Sequence, residues 1–177
     1  MKVLLCFLAL VAGCMAGFEF KDCSGGKPGF RFETFKPTRH PVPVPGTFGV
    51  SFDADVTKTI NGPLKVKLEL QRKVTFFWVP IPCLFGYGSC TYDGICDWAA
   101  QWKAPSKCPP ELANHNIPCT CPYPKGRISM NNQQFTVGAL PTGLGWLADG
   151  TYWGKIKMLE QNGNEIGCVE LTVEIDS

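Results

Sequence analysis

Two stretches near the middle of the chain alternate apolar and polar residues with a period of two. Phe48, Val50, Phe52, Ala54 and Val56 are interleaved with Gly49, Ser51, Asp53 and Asp55. Leu64, Val66, Leu68 and Leu70 are interleaved with Lys65, Lys67, Glu69 and Gln71. Successive side chains of a strand leave opposite faces, so both stretches predict strands with one apolar and one wet face. Asn61-Gly62-Pro63 lies between them and has the composition of a turn. The end of the chain carries the clearest hairpin signal. Tyr152 to Glu160 and Glu165 to Ile175 flank Asn162-Gly163-Asn164, and Val169, Leu171, Val173 and Ile175 give the last strand its apolar face.

Other elements are weaker. Phe18-Glu19-Phe20 opens a short strand that runs to Cys23, and the segment Cys23 to Gly29 is a loop by composition. Phe30 to Phe35 alternates imperfectly and reads as a strand. Pro37, Pro41, Pro43 and Pro45 each lack a backbone donor, so the stretch they mark, closing at Gly46, is an edge or a linker. Ile95, Trp98, Ala99 and Trp102 fall at helical spacing and Pro105 stops the run, which predicts one short helix. No repeat or low-complexity tract is present. The sum is an all-β domain of roughly seven to nine strands.

Two segments follow neither period. Val74 to Ile81 is apolar on both faces, with Phe76, Phe77, Trp78, Val79 and Ile81 pinned by Pro80, Pro82 and Cys83. Val137 to Leu147 carries Leu140, Leu144, Trp146 and Leu147 among three glycines and a proline. Loops run over the surface and are usually polar. Apolar loops mark a partner, a membrane or a ligand mouth, and Trp suits both hydrocarbon and headgroups. The competing reading places these side chains in the core. Two separate Trp-bearing segments argue against all of them being there, so these nine residues are the candidate lipid-binding and membrane-facing set.

Residues 1–17 read as a secretory signal: Lys2, an apolar run from Val3 to Val11, and small residues at Gly13, Ala16 and Gly17. Residues 18–177 then form a single domain with enough chain for a real core. Of the seventeen Lys and Arg only Lys2 precedes residue 18, which leaves sixteen against fifteen acidic residues. So even a balance offers no electrostatic footprint for nucleic acid. Cys6 and Cys14 leave with the signal, and the eight cysteines that remain favour four disulfides in an exported chain. Cys119 and Cys121 sit two apart in an extended stretch, so their side chains share a face. Cys96 and Cys108 are their natural partners, in either combination. Cys83 and Cys90 enclose a glycine-containing return, and Cys23 and Cys168 are left for each other. Zinc is the rival use of Cys-x-Cys, but neither paired Cys-x2-Cys spacing nor accompanying histidines support it.

Catalytic signatures are sparse. His40 lies among prolines and His115 in a polar turn, and no serine sits in a Gly-x-Ser-x-Gly elbow. Asp22, Asp53, Asp55, Asp93 and Asp97 leave a glycosidase pair open by counting alone, but Asp53 and Asp55 fall on the wet face of a strand. No phosphate loop, dinucleotide fingerprint or calcium loop appears, and no cofactor or metal is indicated.

Several short motifs resemble the ganglioside GM2 activator family of sphingolipid activators, within the wider lipid-recognition superfamily. They are Phe18-Glu19-Phe20-Lys21-Asp22-Cys23, Val44-Pro45-Gly46, Pro63-Leu64-Lys65-Val66, Trp78-Val79-Pro80-Ile81-Pro82-Cys83, Gly88-Ser89-Cys90-Thr91, Cys96-Asp97, Pro118-Cys119-Thr120-Cys121-Pro122, Trp146-Leu147 and Gly167-Cys168. The resemblance spans nearly the whole chain after the signal. It implies the bridges Cys23–Cys168, Cys83–Cys90, Cys96–Cys121 and Cys108–Cys119. It implies a β-cup with a lipid-sized cavity between two sheets, its apolar strand faces lining the cup and the loops around Trp78 and Trp146 at the mouth, against the bilayer. It implies a non-catalytic protein, secreted or lysosomal, that binds a membrane transiently, extracts a glycolipid and presents it to a soluble β-hexosaminidase. The alternatives are a secreted module of innate immunity or signalling that senses sterol or microbial lipid, and a hydrolase acting on the lipid itself. Thr47-Phe48-Gly49 follows the Val-Pro-Gly motif where family members carry an N-glycan, and no Asn-x-Ser/Thr occurs anywhere. A glycan-borne route to lysosomes is therefore not implied, and plain secretion stands beside it.

Overall fold

The two alternating stretches both form strands, but in different sheets. The computed structural model describes residues 17–94, Cys96 and residues 108–177. Its strands are β1 (Glu19–Asp22), β2 (Phe30–Pro37), β3 (Val42–Pro43), β4 (Gly46–Val56), β5 (Leu64–Val74), β6 (Phe77–Pro80), β7 (Thr91–Tyr92), β8 (Gly126–Val137), β9 (Gly150–Glu160) and β10 (Glu165–Asp176). One sheet runs β1-β10-β9-β5-β6, with β3 added beside β10 and β7 beside β5; the other runs β2-β4-β8. All pairs are antiparallel except the two-residue contact of β3 with β10. Ten strands among the described residues exceed the expected seven to nine because β3 and β7 are two-residue pieces.

Asn61-Gly62-Pro63, expected as a turn, is a crossover between sheets that bends at Gly62 instead of joining a hairpin. Ile60 exchanges backbone hydrogen bonds with Tyr123 at 2.9 and 3.0 Å before the chain crosses. Gly62 is required there, because a Cβ would run into the sulfurs of Cys96 and Cys121. The proline-rich stretch is an edge, as its missing donors demand. The final hairpin matches its expectation, with Gly163 at φ +87° in the turn.

Two bulges explain where alternation failed. In β2 the register shifts between Phe32 and Thr34, so Phe32 opposes Ala54 and Phe35 opposes Phe52. The extra residue returns Phe35 to the side of Phe30 and Phe32. In β8 the shift falls at Asn131–Asn132, between the pairs Phe52–Met130 and Val50–Gln133. Ile128 and Met130 therefore precede a phase change, and Phe135 and Val137 follow it. This strand carries no uninterrupted alternation, which is why the sequence hid it.

The helix expected over Ile95 to Trp102 lies outside the described residues, apart from Cys96. Among the described residues one short α-helix, α1, spans Pro110–Ala113, with Pro in its first turn. The four bridges are Cys23–Cys168, Cys83–Cys90, Cys96–Cys121 and Cys108–Cys119. They fix the one choice that spacing left open.

The two ends of the sandwich differ. At one end Phe30, Val56, Ile60, Leu64 and Ile166 form a buried cluster, with Tyr123 edge-on to Phe30 at 5.8 Å. Register places Arg72, Gly150 and Ile175 together at the other end of the large sheet. It places Gly46 and Val137 together at the corresponding end of the small one. An apolar cleft opens there, and the candidate site is built around it.

Candidate functional site

At this open end β5 and β6 form a hairpin whose tip is apolar. Val74 pairs with Phe77 across the two-residue turn Thr75-Phe76. Thr75 takes φ +57°, a strained conformation for a β-branched residue. The expected loop is thus a strand pair. Register puts Val74 opposite Phe77 and Arg72 opposite Val79, while the Ile81 N–H donates to the Leu70 carbonyl at 2.9 Å. Alternation then sets Phe77, Val79 and Ile81 on the inner face and Trp78 beside Lys73 on the outer face. Exposure along the inner row falls from 74% at Phe77 to 46% at Val79 and 2% at Ile81. The row is an apolar ramp from solvent into the sandwich.

The second segment is a loop that ends in a 3-10 turn at Gly145–Leu147. Trp146 is about half exposed, Leu140 and Leu147 are half-buried, and Leu144 is buried. Of the nine candidates, five are exposed: Phe76, Phe77, Trp78, Val79 and Trp146. Ile81 and Leu144 are buried beneath their exposed neighbours.

Arg72 joins the two segments. Its guanidinium donates to the carbonyls of Trp146 at 2.8 Å and Asp149 at 2.7 Å. The Tyr152 hydroxyl, from a buried ring, donates to the Leu147 carbonyl at 2.9 Å. Burial, the first cause, pushes the Tyr152 phenol pKa up. Ser177 closes the loop from the other side through its N–H and hydroxyl to the Asp149 carboxylate. Neither Arg72 nor Tyr152 was foreseen. The alternation of β5 did place Arg72 on the apolar face, and a charge there was the available signal.

Between the sheets at the same end is a cleft of about 260 Å³. Phe35, Val44, Phe48 and Val137 line one side and Phe18, Val173 and Ile175 the other, with no polar atom exposed to it. Phe18 and Phe20 stack on Phe35 at 6.0 and 6.2 Å, an arrangement that depends on the β2 bulge. Hydrocarbon is the chemistry such a wall accepts.

The outer face of the small sheet is an ion network. Arg31 donates to Asp55 at 2.7 Å, and Arg127 lies 3.3 Å from Asp53 and 3.1 Å from Glu33. Hydrogen bonds from Thr34, then Ser129, hold the Asp53 pKa below the ordinary carboxylate value, and the hydrogen bond from Arg31 does so for Asp55. A folded pKa lowered below the unfolded one gives stability that is complete above the unfolded value. That stability is lost as pH falls through the folded one. Asp53 and Asp55 therefore stay ionised at mildly acidic pH. Asp53→Asn with Asp55→Asn should flatten the acid limb of a denaturation midpoint measured below about pH 4, by a small amount because the groups are exposed and screened. The histidines are not placed together: His40 lies 3.5 Å from Glu174 and His115 lies 3.2 Å from Gln133.

The family model of the ML domain matches residues 17–175. The ganglioside GM2 activator of Mus musculus is 32% identical over 165 residues, covering 91% of this chain and 83% of that protein. Its Macaca fascicularis counterpart is 30% identical over 166 residues, covering 91% and 84%. Among solved structures, a Niemann-Pick type C2 protein from Japanese carpenter ant is 15% identical and aligns with a TM-score of 0.47 over 89% of this chain and 99% of its own. With the family model spanning nearly all of the described fold and two relatives at this identity, the chain belongs to the ganglioside GM2 activator family of ML-domain proteins.

Proposed function

We propose that the protein is a non-catalytic lipid carrier, secreted or lysosomal. It lifts a glycosphingolipid from a membrane and presents the headgroup to a soluble glycosidase, a β-hexosaminidase by likeness to the GM2 activators. One observation carries this reading: the wholly apolar cleft lies at the end of the sandwich that also bears the exposed hairpin tip and Trp146. A lipid chain gains about 0.8 kcal/mol per buried CH2 in either bilayer or protein. Extraction therefore needs a wall as apolar as the membrane, together with a contact that lets the chain pass without crossing water. The inner row Phe77, Val79, Ile81 offers that passage.

The test is transfer of ganglioside GM2 between vesicles, followed with and without added β-hexosaminidase. Trp146→Ala should slow transfer several-fold while leaving the melting temperature unchanged; unaltered transfer counts against this mouth. Faster turnover by the added enzyme supports presentation. Transfer without that acceleration leaves a carrier only, and turnover with no enzyme added points to a lipid hydrolase.

A further inference from the structure

Eight of the nine exposed large hydrophobic side chains among the described residues fall between Val74 and Tyr92. That segment lies along one side of β5. β6 pairs with its end at Gln71–Val74, and β7 pairs with Val66 and Lys67. Between them the Cys83–Cys90 loop hangs from the middle, with the Leu68 N–H donating to the Cys90 carbonyl at 2.8 Å. The apolar set therefore decorates a whole edge of the large sheet, roughly 25 Å long at the rise of a strand, and not the mouth alone.

Phe85 is the residue that folding least explains. Leu84 and Tyr87 exchange backbone hydrogen bonds at 2.7 and 2.8 Å around the two-residue turn Phe85-Gly86. Both turn residues have positive φ, +53° and +83°. Such a turn favours Asn, Asp or Gly at its first position. A phenylalanine there is strained, and it is 92% exposed. The turn is nevertheless held firmly: the Tyr92 hydroxyl donates to the Gly86 carbonyl at 2.7 Å and the disulfide closes its base. A strained, exposed, rigidly mounted aromatic points to a contact outside the chain.

We propose that Phe85 is a second membrane anchor, and that the protein docks on an anionic lipid surface along its β5–β6–β7 edge, with the strands lying along the bilayer. This rests on the carrier reading above. The tips are convex and spread along the edge, which suits a deformable bilayer; a folded partner would need a pocket for each. Trp78, Tyr87 and Tyr92 are of the types that sit at headgroup level. Lys73, beside Trp78 on the outer face of β5, has no ion-pair partner among the described residues and complements anionic headgroups, whereas Lys65 and Lys67 are paired with Asp93 at 3.2 Å and Glu69 at 3.0 Å.

The experiment measures binding to vesicles of phosphatidylcholine with phosphatidylserine, together with melting temperature, for wild type, Phe85→Asn, Phe85→Leu and Phe77→Ser. Asn suits the turn, so F85N should melt at or above the wild-type temperature yet bind about tenfold more weakly, the scale of losing one buried aromatic contact. F85L should retain most of the affinity, and Phe85→Gly replaces F85N if that variant folds poorly. Wild-type affinity in F85N with loss in F77S overturns the edge-on orientation and leaves the carrier reading standing. Wild-type affinity in both overturns the two together. A wild-type dimer that F85N dissolves, with vesicle binding unchanged, assigns the edge to a second copy and also overturns the proposal.

Discussion

Replacing Cys23 and Cys168 together with alanine is expected to leave the protein barely folded. The bridge closes 145 residues, and on the chain-entropy model that constraint is worth about 5 kcal/mol. A domain of this kind has roughly 5–15 kcal/mol in total. The bridge also sits where β1 meets β10: the Cys23 N–H donates to the Cys168 carbonyl at 2.9 Å, and Cys168 is buried beside the packed end of the sandwich. The comparison is Cys83→Ala with Cys90→Ala, whose short loop predicts a loss of about 2.5 kcal/mol. Urea denaturation of the three proteins gives the order directly. Equal losses from the two pairs would refute the loop-length argument and place the stabilisation in local contacts.

The second large effect concerns the hairpin tip. Phe76 and Phe77 are 85% and 74% exposed, so Phe76→Ser with Phe77→Ser removes little from the fold. If both rings enter the bilayer, their loss should weaken vesicle binding by about 3 kcal/mol, roughly a hundredfold, taking the low end for two aromatic side chains. Cosedimentation with vesicles reads the affinity, and a thermal melt shows that the variant is folded. Binding reduced by less than about threefold would sink the tip as a docking element, since a single ring should give more than that.

These two sites were not equally legible in the sequence. Cysteine order and local geometry left a single uncertainty about the bridges, which the fold resolved. The last hairpin was readable because Asn162-Gly163 matches the turn that its strands require. Trp78 and Trp146 stood out because they interrupt a pattern. The rest was hidden for identifiable reasons. Asn131 and Asn132 bulge out of β8 and reset its phase, so a twelve-residue strand offered two short fragments. Thr75 and Phe85 occupy turn positions that their chemistry disfavours, so turn rules pointed away from both. Leu144 and Ile81 look like their exposed neighbours, because composition does not say which apolar residue of a run faces inward. Arg72 and Tyr152 act through backbone carbonyls of a distant loop, and only tertiary contact reveals such partners.

The unequal packing of the two ends also governs how the fold opens. Elements rich in buried contacts and crosslinks separate only in global unfolding, whereas regions with few of them open at a fraction of that cost. The Phe30–Ile166 cluster and the Cys23–Cys168 bridge belong to the first class. The Trp146 loop belongs to the second, held by the buried Leu144 and by hydrogen bonds from Arg72, Tyr152 and Ser177. Breathing at the mouth is thereby decoupled from melting of the base. On the proposed carrier reading, a chain of hydrocarbon would pass through a sub-global opening while the remainder of the molecule stays closed to proteases and aggregation.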